Sequence, residues 1–258
     1  MARPVKDHPS RVYVLGVGVD PITLGELHAE IGRLARGGER GTVLNVNAYC
    51  LNLLYGSPAL REFFATADVV FCDGSGVMLA ARLLGKRLPA RITYADWAWQ
   101  LAAFAEVEGL SIFLLGAEPG VARRAAQHLR KRHPGLRISG VRHGYFDHTP
   151  GSPENEAVLR EINTARPDLL LVGLGMPLQE RWLMQNRDRL ETGVALTCGA
   201  VFDYVSGGLR RGPPLLTDNG FEWLGRLLVE PRRLWRRYLL GNPLFLLRVL
   251  RQRLGRVW

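Results

Sequence analysis

The stretch Val69–Gly76 reads VVFCDGSG, four apolar residues followed at once by an acid and by glycines at alternate positions. Because the apolar run is continuous and does not alternate with polar residues, it is typical of a parallel β-strand covered on both faces. The next residues, Val77–Leu84, have the spacing of a helix. A strand, a glycine-bearing turn and a helix in this order indicate one unit of an α/β fold.

Strand and helix patterns continue to alternate on both sides of this stretch. The predicted strands are Val12–Val17, Thr42–Val46, Val69–Cys72, Ser111–Leu115, Leu136–Val141, Leu169–Val172 and Val194–Cys198. The predicted helices are Thr23–Arg36, Ala48–Thr66, Val77–Leu84, Ala95–Glu108, Gly120–His133, Glu154–Ala165 and Leu178–Leu190. This alternation predicts an α/β fold with a doubly wound, mainly parallel sheet.

The composition narrows the class of protein. The 258 residues are 47% hydrophobic and 22% charged, which excludes a disordered chain, a collagen-like repeat and a disulfide miniprotein. The three cysteines, Cys50, Cys72 and Cys198, lie in apolar stretches and form no C-x-x-C pair. We therefore expect reduced core cysteines in a cytosolic protein.

The charge is concentrated at one end of the chain. The formal net charge is +10, and residues 204–258 carry +8 of it, with eleven arginines and three acids. We predict a core domain over residues 1–203 and an Arg-rich helical appendage over residues 204–258. A basic appendage implies an anionic partner, which is a nucleic acid, a lipid headgroup or a phosphorylated substrate.

The appendage has the pattern of basic amphipathic helices. In the stretch Pro231–Leu240 a helical wheel places the arginines on one face and the apolar residues on the other. We expect Gly241-Asn242-Pro243 to break this helix and Leu244–Trp258 to resume it. Such helices lie flat on anionic membranes. The alternative is a helix docked on the domain or on a partner subunit.

Two membrane-related signals are missing from the sequence. No apolar run approaches 18 residues, so we expect no membrane span. The N-terminal stretch MARPVKDHPS has no apolar h-region, so we expect no signal peptide.

Candidate site residues follow the predicted strands, because ligands of open parallel sheets bind beyond the carboxyl ends of the strands. These residues are Asn45, Asn47, Asp73, Gly74, Gly116, Gly175, Gln179, Glu180 and Asp203. Glycines there permit close backbone approach, and helix N-termini offer N–H groups to an anion. Each loop taken alone also has a plain explanation as a turn.

Several of these residues have two interpretations. Asp73 is either a base that deprotonates a hydroxyl or the N-cap of the following helix. Gln179 and Glu180 either hydrogen-bond a base or sugar or form the polar first turn of a helix. Arg91 is either a phosphate clamp or a surface arginine. For Asp203 and Glu222, a structural pairing with arginine is the default.

Known cofactor motifs are not present. None of the G-x-G stretches continues as G-x-G-x-x-G, and the chain has no G-x-x-x-x-G-K-[ST], so an NAD enzyme or a P-loop kinase is disfavoured. His143 and His148 lie five residues apart with no third ligand nearby in the sequence, so no metal site is expected.

Taken together, the loops resemble the WecG/TagA/CpsF glycosyltransferase family (glycosyltransferase family 26). The matching motifs extend from about Val12 to Arg237. They are Asn47 in its N-x-N stretch, Asp73–Gly76, Arg91-Ile92-Thr93 with Asp96, Leu115–Gly120, His143–Phe146, Pro177–Glu180, Gly199–Asp203, Arg211-Gly212-Pro213, Glu222-Trp223 with Arg226, and Glu230–Arg233.

The resemblance implies an inverting, metal-independent enzyme on a Rossmann-like fold. Such an enzyme transfers a sugar from a UDP-activated donor to a polyprenyl-diphosphate-linked saccharide at the cytoplasmic face of the membrane. Family members build teichoic-acid linkage units, enterobacterial common antigen or exopolysaccharide repeats. The resemblance also implies an appendage that recruits the membrane and completes the site. It leaves the donor sugar open among N-acetylmannosamine, its uronic acid and glucose.

The resemblance assigns roles to single residues. Asp73 is the implied general base, and Asn47, Gln179 and Asp203 line the donor pocket. Three appendage arginines meet a diphosphate. These arginines are Arg226, Arg233 and Arg236. The other residues implied to contact substrate are Asn45, Gly74, Arg91, Gly116, Gly175, Glu180 and Arg211.

Rival functions stay open at this point. A Rossmann-like methyltransferase or oxidoreductase is the rival enzyme. A nucleic-acid-binding protein that uses its Arg-rich appendage is the rival binding module, although we expect no nucleic-acid partner, because the aromatics of the appendage fit an apolar helix face better than stacking platforms. The appendage as an interface of a homo-oligomer is the third alternative.

Overall fold

The computed structural model describes residues 10–38, 40–209 and 222–255. Its strands are β1 (Val12–Val14), β2 (Val17–Val19), β3 (Gly41–Val46), β4 (Val69–Cys72), β5 (Ser111–Gly116), β6 (Arg137–Arg142), β7 (Leu169–Gly173) and β8 (Val194–Thr197). Its helices are α1 (Leu24–Arg36), α2 (Ala48–Tyr55), α3 (Pro58–Ala65), α4 (Ser75–Leu83), α5 (Tyr94–Val107), α6 (Val121–Arg132), α7 (Pro153–Ala165), α8 (Leu178–Asn186), α9 (Val201–Val205), α10 (Glu222–Val229), α11 (Pro231–Trp235) and α12 (Gly241–Arg253). A 3-10 helix spans Arg187–Arg189, and a π-helical turn spans Arg236–Leu240.

Six strands form one parallel sheet in the order β4-β3-β8-β7-β5-β6. Every residue of the five strands other than β6 is buried, while β6, at the edge, alternates between exposed and half-buried residues. The continuous apolar runs produce this pattern, because both faces of such strands are covered by helices. The predicted α/β fold with a doubly wound, parallel sheet is therefore confirmed.

The chain divides into two compact units. Among the described residues, the first unit comprises 10–23, 45–93 and 222–255, and the second comprises 24–38, 40–44 and 94–209. The boundary falls inside β3, between Leu44 and Asn45. The separate functional division at residues 203 and 204 stays a prediction.

The prediction of one strand over Val12–Val17 is wrong. In the first unit, β1 and β2 form an antiparallel hairpin, with Val12 opposite Val19 and Val14 opposite Val17. Leu15 and Gly16 form the turn, with φ angles of 51° and 76°. Two consecutive residues with positive φ suit the tight turns that join antiparallel strands, and they end the first strand after three residues.

The prediction of one helix over Ala48–Thr66 is also wrong, because α2 ends at Tyr55 and α3 begins at Pro58. Proline has no N–H to donate within a helix, so it suits the first position of a new one.

The appendage helices are continuous where a break was predicted. Helix α12 begins at Gly241 and contains Pro243 in its first turn, where proline is tolerated. Helix α12 packs on α2 and α4 within the first unit, and its residues Phe245 and Val249 are buried. One face of α12 is thus docked on the protein itself. This agrees with the alternative prediction, in which the helix docks on the domain.

The helical wheel of Pro231–Leu240 is only partly correct. Leu234 and Tyr238 are buried, as expected for the apolar face, but Trp235 and Leu239 are exposed. The π-helical turn that follows Trp235 adds a residue to the turn and shifts every later side chain around the axis.

Candidate active site

Asp73 lies at the carboxyl end of β4 in the first unit and is half-buried. Its backbone N–H donates to the Val46 carbonyl at 2.9 Å, and its Oδ2 accepts a hydrogen bond from Asn45 Nδ2 at 2.9 Å. Helix α4 begins at Ser75 with Gly74 as its N-cap residue. The N-cap interpretation of Asp73 is therefore wrong, and its carboxylate is held by Asn45 instead.

Three more predicted residues surround Asp73. Asn45 is only 2% exposed. Asn47 caps α2, since its side chain accepts a hydrogen bond from the Cys50 N–H at 3.0 Å. A Cβ on Gly74 would lie 3.0 Å from the Asn47 Cβ, so glycine allows the two loops to approach. We call Asn45, Asn47, Asp73 and Gly74 the Asp73 cluster.

Arg91 lies near this cluster in the first unit and contacts the appendage. Its Nη1 lies 3.8 Å from Glu222 Oε2, in α10, and both side chains are mostly buried. The next residue, Ile92, donates its N–H to the Cys72 carbonyl at 2.8 Å. The pairing of Glu222 with an arginine, which the sequence made the default, is confirmed.

Cys72, directly before Asp73, is a neutral thiol. Its pKa is raised to about 12, mainly by burial and in part by the charge of the neighbouring Asp73, against lowering by a hydrogen bond to the Gly74 carbonyl. Since the thiolate is the nucleophilic form, Cys72 has no nucleophilic role near neutral pH.

The three predicted appendage arginines differ in their surroundings. Arg226 is half-buried on α10. Arg233 is 68% exposed and pairs at 2.6 Å with Glu230, the N-cap residue of its helix α11. Arg236 is exposed, with its guanidinium carbon 5.2 Å from the centre of the Trp235 ring. Arg211 lies outside the described residues.

Arg237 is an arginine that the sequence did not single out. Its guanidinium carbon lies 4.3 Å from the centre of the Tyr49 ring, and its Nε is buried with no hydrogen-bond partner among the described residues. The helical wheel treated Arg236 and Arg237 alike, because it could not foresee the π-helical turn.

In the second unit, Gln179 and Glu180 follow Leu178, the first residue of α8, and both are buried. Gln179 Oε1 accepts a hydrogen bond from the Gly199 N–H at 2.9 Å, and its Nε2 donates to Glu180 Oε1 at 2.7 Å. The Gln179 N–H donates to the carbonyl of Gly175, whose φ is +81°. We call Gly175, Gln179, Glu180 and Gly199 the Gln179 cluster. Gln179 and Glu180 do form the polar first turn of a helix, as one interpretation predicted, but both side chains are buried there.

Glu180 is the most perturbed acid of the second unit. Its pKa is raised to about 7, because the effect of burial outweighs the opposing effect of the hydrogen bond from Gln179. Its Oε2 is buried without a hydrogen-bond partner among the described residues. A large share of Glu180 is therefore protonated at neutral pH.

Gly116 and Asp203, also in the second unit, were both predicted to contact substrate. A Cβ on Gly116 would lie 2.2 Å from the Gly173 carbonyl oxygen, so glycine is required for the close approach of β5 to β7. Asp203 lies half-buried on α9. The pKa of the Cys198 thiol is raised mainly by the burial of that thiol and in part by the negative charge of Asp203.

The described ranges contain no group of three or more His, Cys, Asp or Glu side chains that could hold a metal ion. They also contain no helix long and apolar enough to cross a membrane. Metal independence itself stays a prediction.

A carboxylate held in place at a strand end, with arginines on neighbouring elements, fits an enzyme that deprotonates a hydroxyl close to an anionic group. Sequence comparison defines the class. The profile of the WecG/TagA/CpsF glycosyl transferase family matches residues 12–257, and the chain belongs to this family. The glycosyl transferase hypothesis is thus confirmed over the methyltransferase, oxidoreductase and nucleic-acid-binding alternatives.

Similar curated proteins come from several strains of Staphylococcus aureus. The proteins of strains NCTC 8325 / PS 47, COL and MRSA252 are 27% identical to this chain over 246 residues, which is 95% of this chain and 94% of each relative. Each is named N-acetylglucosaminyldiphosphoundecaprenol N-acetyl-beta-D-mannosaminyltransferase.

Proposed function

We propose that this chain transfers a sugar, with inversion, from a UDP-sugar to a polyprenyl-diphosphate-linked saccharide in the synthesis of a cell-surface polysaccharide. Family membership supports glycosyl transfer, and the names of the relatives support an acceptor that carries a diphosphate-linked lipid. The observation that carries the proposal is the Asp73 carboxylate, which Asn45 holds at the end of β4.

The proposed reaction is a single displacement. Asp73 accepts the proton of the acceptor hydroxyl, and the hydroxyl oxygen forms a bond to C1 of the donor sugar. The bond between C1 and the β-phosphate oxygen breaks, and its electron pair leaves with UDP. Because the oxygen attacks the face opposite the leaving group, the configuration at C1 inverts. Asn45 contributes by fixing the orientation of the carboxylate before the acceptor arrives.

Arginines supply the positive charge that the departing UDP requires in this proposal. A guanidinium is always charged and offers two parallel N–H donors to a phosphate, so it can stabilise the leaving group without a metal. Arg91 and Arg226, both half-buried in the first unit, are suited to this role. The exposed Arg233 and Arg236 stay predicted diphosphate ligands.

The names of the relatives favour N-acetylmannosamine as the donor sugar over its uronic acid and glucose. The predicted donor contacts stay Asn47, Gln179 and Asp203. Each contact can be tested by a substitution of its own. The buried side-chain amide of Gln179 is hydrogen-bonded to Gly199 through its oxygen and to Glu180 through its nitrogen. Because these bonds already fix the amide, little conformational entropy would be lost when it binds a ligand.

We also propose that the appendage binds the anionic cytoplasmic face of the membrane. Opposite the docked Phe245 and Val249, helix α12 exposes three leucines, Leu244, Leu247 and Leu250, whose exposed fractions range from 43% to 46%. Leu254, which follows the helix as its C-cap residue, is 69% exposed. Arg251 and Arg253 are exposed on the same helix. Exposed leucines beside arginines are typical of a helix that lies in a membrane interface.

The test of the proposed function is acceptor-dependent release of UDP. The full chain is incubated with UDP-N-acetylmannosamine, its uronic acid or UDP-glucose, with and without a polyprenyl-diphosphate-linked N-acetylglucosamine in anionic vesicles. We expect one donor, N-acetylmannosamine first, to release UDP only when the acceptor is present. Equal release with and without acceptor, or none with any donor, would overturn the proposal.

A further inference from the structure

The π-helical turn of the appendage places two adjacent arginines in different surroundings. Arg236 is exposed beside Trp235, whereas the guanidinium of Arg237 lies 4.3 Å from the ring centre of Tyr49 and 5.5 Å from that of Tyr238. Aromatic faces attract a cation and can hold it away from water. Arg237 is thus the arginine that the turn directs into the first unit.

Arg237 keeps hydrogen-bonding capacity that the described part of the chain does not use. Within that part, its Nε is buried without a hydrogen-bond partner, and no ion pair joins its guanidinium to a carboxylate. Arg248 provides the internal comparison, because it also lies over a tyrosine, 4.0 Å from the Tyr55 ring centre, yet donates to both the carbonyl and the side chain of Asn52. A buried N–H without a hydrogen-bond partner is costly, so the half-buried Arg237 is suited to an anion that arrives from outside.

The neighbours of Arg237 define the kind of anion. Tyr49, on which Arg237 stacks, is two residues from Asn47 of the Asp73 cluster. Burial lowers the pKa of Arg237 most, the charge of Arg226 lowers it further, and Tyr238, Tyr49 and Asp73 raise it. A second guanidinium within electrostatic range favours an anion with more than one negative charge. A diphosphate has this charge, and both substrates of the proposed reaction contain one.

We propose that Arg237 binds a diphosphate beside Asp73 and is a direct ligand of the substrate that the sequence alone does not reveal. This inference rests on the proposed function. If the diphosphate belongs to UDP, Arg237 stabilises the electron pair that leaves with the β-phosphate oxygen when the bond to C1 breaks. If it belongs to the lipid, Arg237 anchors the acceptor while Asp73 removes the hydroxyl proton.

The test compares Arg237→Lys, which keeps the charge but loses the planar guanidinium, and Arg237→Gln, which removes the charge, with the control Arg82→Ala, which removes a charge from an exposed position on α4 of the same unit. The affinities for UDP and UMP are measured by calorimetry, and KM is measured for the donor and for a short-chain diphosphate-linked acceptor. Hydrogen bonds to charged groups predict a loss of about 10- to 100-fold for one diphosphate, with UMP affinity unchanged. A loss for UDP assigns the donor, and a rise in acceptor KM assigns the lipid.

A measurement on the unmodified chain covers the case in which the variants do not fold. Amide hydrogen exchange of residues 230–240 should slow when UDP or the acceptor is added, and not when UMP is added. If the wild type transfers sugar while the Arg237 variants match Arg82→Ala, or if neither diphosphate slows exchange, this inference is overturned alone. If the wild type neither binds UDP nor transfers sugar, the proposed function fails, and the inference fails with it.

Discussion

Asn45 and Asp73, 28 positions apart in the sequence, are joined by a 2.9 Å hydrogen bond from the Asn45 amide to Asp73 Oδ2. Asn45 is buried near the end of β3, and Asp73 follows the neighbouring strand β4, so the order of the sheet brings them together. This bond fixes one oxygen of the carboxylate in place. It gives Asp73 a defined orientation, which a general base requires.

Asn45→Ala should therefore slow the transfer without unfolding the protein. A hydrogen bond to a charged group is worth about 1.5–3 kcal/mol, so we expect kcat to fall by at least about tenfold. Steady-state kinetics test this, with Asn163→Ala as the control, because Asn163 bonds a backbone carbonyl in the second unit. A wild-type kcat in the Asn45 variant would show that the orientation of Asp73 does not depend on this bond.

Glu180 makes stability depend on pH. Because its folded-state pKa of about 7 lies above its ordinary value of 4.5, the folded chain binds more protons than the unfolded chain between these pH values. The free energy of unfolding should therefore fall as the pH rises from 4.5 to about 7, and then level off.

Glu180→Gln should remove this pH dependence. At pH 8 we expect the variant to be more stable than the wild type by up to about 3 kcal/mol, and at pH 4.5 the two should be nearly equal. Urea unfolding at both pH values provides the measurement, and Glu161→Gln, at an exposed ion pair, is the control. An unchanged pH slope in the Glu180 variant would contradict the raised pKa.

Gly116→Ala should strongly destabilise the second unit. Its φ is +146°, and its new Cβ would meet the Gly173 carbonyl oxygen at 2.2 Å, so β5 and β7 would have to separate. We expect a loss of about 3 kcal/mol or more in thermal unfolding. Gly25→Ala, on α1 with open space around the new Cβ, should be neutral or slightly stabilising. Equal stability of both variants would argue against the close approach.

The exposed leucines of α12 should control vesicle binding. Replacing Leu247 and Leu250 by serine removes apolar surface that the fold leaves exposed, so we expect weaker binding to phosphatidylglycerol vesicles, by about tenfold for each leucine, with unchanged thermal stability. Leu79→Ser, at an exposed leucine on α4, is the matched control. Unchanged sedimentation with vesicles would remove α12 from the membrane contact.

Most of the sheet could be predicted from the sequence because burial on both faces leaves a local signal. The runs at Val69–Cys72 and Leu169–Val172 are apolar throughout, and they became β4 and β7 with boundaries within one residue. The hairpin at Leu15 and Gly16 was missed because nothing marks a leucine as a residue with positive φ. The π-helical turn was missed for a similar reason, since a wheel assumes 3.6 residues per turn.

The candidate site could be predicted residue by residue but not as a set of contacts. Asp73 was singled out because an acid follows a buried strand, yet its partner Asn45 depends on which strand lies beside β4. The bond of Gln179 to Gly199 likewise joins positions 20 residues apart. The sequence around Arg237 does not mark it as a ligand. Its suitability for binding an anion depends on its contacts with Tyr49 and Tyr238, which only the structure shows.

The central claim is that Asp73 is the base of the transfer, and the most direct measurement is kcat for Asp73→Asn. Asparagine keeps the size of the side chain and removes its ability to accept the proton. We expect kcat to fall by about 10²- to 10⁴-fold while UDP affinity is retained, and Asp188→Asn, at an exposed position, to match the wild type. A kcat for Asp73→Asn within a few-fold of the wild type would contradict the claim.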